Sequence, residues 1–144
     1  MRKFWVLIIL MAVAYQFTPS AGVSIPVITA SVKNGDRLLR DAFKNRRSDL
    51  QVEGEGVVIK LLPDDLEGSR HQRFIIRLRS GQTLLISHNI DLAPRINSLQ
   101  VGHSIRFYGE YEWNAQGGVI HWTHHDPAGN HAGGWIEHSG RRYQ

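Results

Sequence analysis

From Leu50 onward, apolar and polar residues alternate in runs of strand length. The clearest run is "HQRFIIRLRS", residues 71–80, with Phe74, Ile76 and Leu78 on one side and Arg73, Arg77 and Arg79 on the other. A period of two marks a half-buried strand and is incompatible with an amphipathic helix, whose apolar positions recur every three to four residues. "LQVEGEGVVIKLL" precedes this run, with Gly54 and Gly56 suited to a bulge or sharp coil, and "PDDLEGSR" is the polar turn between them. Ser80 and Gly81 open a tight hairpin into "QTLLISHNI". "DLAPRINSLQVG" is a connector with room for one helical turn. "HSIRFYGEYEW" follows, with Ile105, Phe107, Tyr111 and Trp113 on an inner face, and "NAQGG" turns the chain into the returning strand "VIHWTHH". Three strands, a short connector and two more strands, with glycines where a sheet must curl, predict a mainly β fold. The expected form is a small five-stranded OB-like barrel over residues 50–144. Another small β-barrel or a sandwich is the alternative.

The chain has 144 residues, enough for one domain and few for two. Residues 1–22 read as a signal peptide: Arg2 and Lys3, then the apolar run "FWVLIILMAVAY", then Ser20 and Gly22 at the third-last and last positions before a cut. Twelve apolar residues fall short of the roughly 20 that span a bilayer. The expected location is periplasmic or secreted. Membrane contact arises only if the segment stays uncleaved as an anchor. Val23–Asn34 reads as a loosely ordered leader, and Asp36 as the N-cap of a short amphipathic helix, "RLLRDAFKNRR", with Leu38, Leu39, Ala42 and Phe43 as its stripe. Residues 23–49 are thus a leader and helix ahead of the barrel. The chain has no cysteine, so disulfides, lipidation at cysteine and thiol catalysis are excluded. Nor does it contain a GxSxG motif or a P-loop. The formal charge of +4 falls to +2 without Arg2 and Lys3, too little to argue for a polyanion partner by itself.

"HWTHHDPAGNHAGGW", residues 121–135, holds four of the eight histidines. In an extended strand His121 and His125 stand about 13 Å apart, too far to share an ion bound at about 2.0–2.1 Å. The proline and glycine of "HDPAGN" favour a turn at Pro127–Gly129, which would bring His131 back toward His124, His125 and Asp126. These four are the candidate metal ligands, with His124, His125 and His131 the candidate acid/base groups. Mixed imidazole and carboxylate donors suit zinc or manganese. His121 is expected to be dispensable for metal. Asp64, Asp65, Glu67 and His71 in one cluster, and His88 and Asp91 in another, are further candidates to join.

Arg73, Arg77 and Arg79 form a basic stripe, and Tyr108 lies beside Arg106 on the face opposite Phe107. Cationic side chains interleaved with aromatic rings suit nucleic acid or another phosphodiester ligand, so Arg73, Arg77 and Tyr108 are candidate ligand-binding residues. The competing expectation pairs the stripe with Glu110 and Glu112 across strands.

The stretches "LPDD…GSRHQRFIIRL…LLISHNIDLAPRI" and "GHSIRFYGEYEWNAQGGVIHWTHHDPAGNHAGGWIEHSGRRYQ" resemble a family of small bacterial exported proteins catalogued as a domain of unknown function. The resemblance covers about residues 50–144 and implies a coherent domain and export, without an activity. Two functions stay open. One is a His/Asp-rich site that binds a divalent metal and engages or hydrolyses a phosphodiester. The other is a non-catalytic envelope binding module whose histidines are structural.

Overall fold

The computed structural model describes residues 27–144. The export signal read at 1–22 lies outside the described residues. Helix α1 spans Val27–Lys44. Asp36 therefore lies within the helix and does not cap it, and residues 27–34 are helical rather than a loose leader. Glycine, threonine and valine give "VITASVKNG" weak intrinsic helicity. Tertiary packing supplies what propensity lacks: Val32, Leu39 and Ala42 are buried, and Leu39 and Ala42 join the barrel core. Among the described residues no helix is long and apolar enough to cross a membrane.

The strands are β1 Leu50–Leu61, β2 His71–Leu78, β3 Thr83–Asn89, β4 Ser104–Glu112, β5 Val119–His121, β6 Trp135–His138 and β7 Arg141–Tyr143. The sheet order is β1-β2-β3-β5-β4-β6-β7, and a further β1–β4 pairing closes the first five strands into a barrel. β3 and β5 run parallel and every other pair is antiparallel. The fold is mainly β, a closed five-stranded OB-like barrel with one short helix. Its interior is filled by the alternate residues the sequence points inward, among them Val52, Val58, Phe74, Ile76, Leu84, Ile86, Ile105, Phe107, Tyr111 and Ile120.

The bulge on β1 falls between Val58 and Lys60, not at Gly54 or Gly56. Gly54 instead leaves room for the Phe107 ring, which would collide with a Cβ there. At the β4–β5 turn, Gly118 has φ 111° and lies under the Tyr111 ring, so that position requires both the permissive backbone and the missing side chain.

The connector between β3 and β4 contains no helix. Side chains of the barrel hold it. Buried Gln72 donates from Nε2 to the Ile96 carbonyl at 3.0 Å and accepts the Ile96 N–H at 2.8 Å. Buried His88 donates from Nε2 to the Pro94 carbonyl at 3.1 Å, and its Nδ1 accepts from the Thr123 hydroxyl at 2.8 Å. Burial, the largest influence, lowers the His88 pKa to about 4; hydrogen bonding opposes this only in part.

β5 ends at His121, short of the full "VIHWTHH" read as strand, because Trp122 turns the chain out of the sheet with φ 54°. After the excursion 122–134 the chain pairs again with β4 as β6 and turns through Ser139 (φ 50°) and Gly140 (φ 75°) into β7. Two successive left-handed residues suit a two-residue hairpin.

Candidate functional site

With Ile105, Phe107 and Tyr111 facing inward, β4 presents Arg106, Tyr108, Glu110 and Glu112 outward. β5 sets His121 directly opposite Glu110. The His121 Nε2 stands 3.5 Å from Glu110 Oε1 and 3.7 Å from Glu112 Oε1. That nitrogen is shielded from solvent and has no hydrogen-bond partner. Glu110, Glu112 and His121 each offer a ligand atom within 4.8 Å of the others. Asp49, in the left-handed region at φ 58° just ahead of β1, adds a third carboxyl. Hydrogen bonding with Glu112, followed by repulsion from its charge, raises the Asp49 pKa above its ordinary value.

The excursion 122–134 adds the other imidazole. The Asp126 carboxylate accepts the N–H groups of Ala128 at 3.0 Å, Asn130 at 2.8 Å and His131 at 2.9 Å. The Ala128 and His131 bonds lead in holding the Asp126 pKa below its ordinary value. Gly129 N–H closes the turn on the Asp126 carbonyl at 3.1 Å, so the reversal falls at Pro127–Gly129 as expected. His131 then stacks on Trp122, centroids 3.9 Å apart and planes at 11°. Its Nε2 donates to Glu110, and its Nδ1 donates to the Ala132 carbonyl at 2.7 Å. Burial opposes the charge, but the Glu110 hydrogen bond leads the interactions that outweigh it, and the His131 pKa is raised.

This arrangement corrects the expected ligand set. His124, His125, Asp126 and His131 do not converge as metal donors; among the described residues the group that does is Glu110, Glu112 and His121. The reason is local. Asp126 is committed to three backbone N–H groups, and both His131 nitrogens already donate. His124 is 5% exposed with Nδ1 bonded to the His125 carbonyl, while His125 itself is exposed. His121, expected to be dispensable for metal, is one of the three residues whose donor atoms converge. The further clusters do not join either. Asp64 pairs with Arg95, Asp65 accepts the Glu67 N–H, Asp91 pairs with Arg70, and His88 is a buried strut.

Arg73, Arg77 and Tyr108 stand in three separate places. Arg73 donates to the Pro63 carbonyl at 3.1 Å. Arg77 lines a groove with Val32, Asp36 and Arg79. Tyr108 sits beside Trp135, over which Arg142 lies at 4.1 Å. The stripe is not paired with Glu110 or Glu112 either, since the ion pairs of those carboxylates are with histidines. The signal for the missed residues lies across strands: a turn at 114–118 sets residue 110 opposite 121, and only that pairing unites E-x-E with a histidine.

Fold and site define a small closed β-barrel protein carrying a mixed carboxylate–imidazole cluster on its outer wall. The chain belongs to the family described as "Protein of unknown function (DUF3465)", which matches residues 22–144. No curated protein and no solved structure matches it.

Proposed function

We propose that this protein is a divalent-metal-binding barrel domain, with Glu110, Glu112 and His121 as the protein ligands. The observation that carries the reading is the convergence of their donor atoms within 4.8 Å. His131 gives Glu110 a counter-charge on one side only, and a divalent ion would supply one to Glu110 and Glu112 together. Two oxygens and one imidazole nitrogen suit zinc or manganese. The unpartnered His121 Nε2 supports the reading, since a buried polar atom without a partner is costly. His131 contributes as a positioning residue, holding Glu110 by a hydrogen bond in the way outer groups orient metal-binding carboxylates. The phosphodiester part of the expectation has less support: Arg73, Arg77 and Tyr108 are dispersed, and each guanidinium has its own surroundings away from Glu110 and Glu112. The proposal includes a periplasmic or secreted location, supported by the basic and apolar character of residues 1–22.

The test is calorimetric titration of dialysed protein with zinc and with manganese. One ion per chain is expected for at least one metal, with binding lost in Glu112→Gln and in His121→Ala and retained in His125→Ala. Retention of full affinity in both of the first two variants would overturn the ligand assignment.

A further inference from the structure

A second site lies on the other side of β5. A cleft of about 220 Å³ is lined by Ser69, His71, Ser87, Asn89, Leu92, His121, Trp122 and His124. β5 lies between β3 and β4 in the sheet, so this cleft opens toward β3 while Glu110 and Glu112 stand on β4. The volume lies below that of most ligand pockets, which run about 300–1,000 Å³, and fits a single ring better than an extended molecule.

Its chemistry is specific. His71 Nδ1 donates to the Ser69 carbonyl at 2.7 Å, and His124 Nδ1 donates to the His125 carbonyl at 2.8 Å. In the neutral rings this leaves each Nε2 as a bare acceptor. Asn89 Oδ1 accepts the Asp91 N–H at 2.9 Å, which leaves its Nδ2 as a donor. The Ser87 hydroxyl can do either. Leu92, 44% exposed, and Trp122 supply apolar surface. No aspartate, glutamate, lysine or arginine lines the cleft. A phosphate would meet acceptor nitrogens with no cation beside them, and an ammonium would meet no carboxylate.

We propose that this cleft binds one neutral, hydroxyl-rich ring: a sugar residue, free or at the end of a glycan. Hydroxyl groups donate to His71 and His124 and accept from Asn89, and the carbon–hydrogen face of the ring lies on Leu92 and Trp122. The proposal stands apart from the metal reading, which uses the β4 side of His121.

The experiment is a nuclear magnetic resonance titration of the full chain with glucose, galactose and N-acetylglucosamine, and separately with inorganic phosphate and a thymidine dinucleotide. At least one sugar is expected to give saturable shifts at the Ser87, Asn89 and His124 amides and the Trp122 indole. Asn89→Ala and His71→Ala should each weaken that binding about tenfold, the loss expected for one hydrogen bond. Leu92→Ala, at an exposed position, tests the apolar wall with little risk to folding and should also weaken binding. A chelator should leave the sugar shifts unchanged. The absence of saturable shifts with all three sugars overturns the proposal. So does saturation of the same resonances by phosphate or the dinucleotide, sugar binding that the chelator abolishes, or full affinity in all three variants.

Discussion

Glu110 meets two imidazoles at once, His131 through a hydrogen bond and His121 across the strand pair. The histidines of this chain thus have opposite proton preferences. His131 is held toward its charged form, whereas His88 is held neutral by burial. The His88 pKa is about 4 in the folded protein, against about 6.5 for an unfolded histidine. Between those values the unfolded chain binds more protons, so this residue makes stability rise with pH. Its contribution is complete above about pH 6.5 and is lost toward pH 4, about 3 kcal/mol in all. His138, lowered first by burial and then by nearby His103, acts in the same direction. The raised His131 acts in the opposite one, favouring the fold at low pH and losing that benefit as pH rises through its folded pKa. Urea unfolding across this range should therefore show a shallower pH slope in His88→Gln than in the parent. Equal slopes would remove His88 as a determinant of acid sensitivity. None of this was legible from histidine spacing, because each ring's state is set by surroundings assembled from distant sequence: burial within the fold for His88 and the Glu110 carboxylate for His131.

At the scale of elements, the loop between β5 and β6 is ordered by one carboxylate. Asp126 collects the N–H groups of Ala128, Asn130 and His131 on its carboxylate and returns His131 to Glu110. In Asp126→Ala the amides of Ala128, Asn130 and His131 should exchange with solvent faster while core amides such as Phe74 and Ile86 keep their protection. Unchanged exchange at those three positions would mean that Trp122 stacking alone orders the loop. Because the Asp126 pKa is depressed, its hold on the loop should persist as pH falls past the ordinary carboxylate range and fail only in stronger acid. Proline and glycine at 127 and 129 made the reversal readable in the sequence. The destination of His131 was not, since alternation along one strand says nothing about the facing strand. The same omission hid β6 and β7. Ser139 and Gly140 between "WIEH" and "RRY" carry a hairpin signal, but segments of four and three residues are too short for alternation to mark them as strands.

Across the whole molecule, the period-two pattern was enough to identify five strands, their inward faces and a curled sheet, because side-chain burial depends on local alternation. Sheet order is a matter of closure, and the parallel β3–β5 contact has no local signature. The helix was half legible: Leu39 and Ala42 were on the expected stripe, but its extent depends on the barrel it covers. A bound ion should act on the fold as a unit, since Glu110 and Glu112 lie on β4 and His121 on β5. Zinc or manganese at about 100 times its dissociation constant should stabilise the native state by about 2.7 kcal/mol, read as a higher urea midpoint that returns to baseline in Glu112→Gln. His121 faces Glu110 and Trp135 faces Tyr108, so β5 and β6 are collinear pieces of one strand with a single vacant place opposite Gly109. Residues 122–134 occupy the span that one residue would fill. The excursion is thus spliced into a continuous register: it decides what reaches Glu110 from outside and lends Thr123 to His88, while the segments on either side of it pair with β4 as one strand.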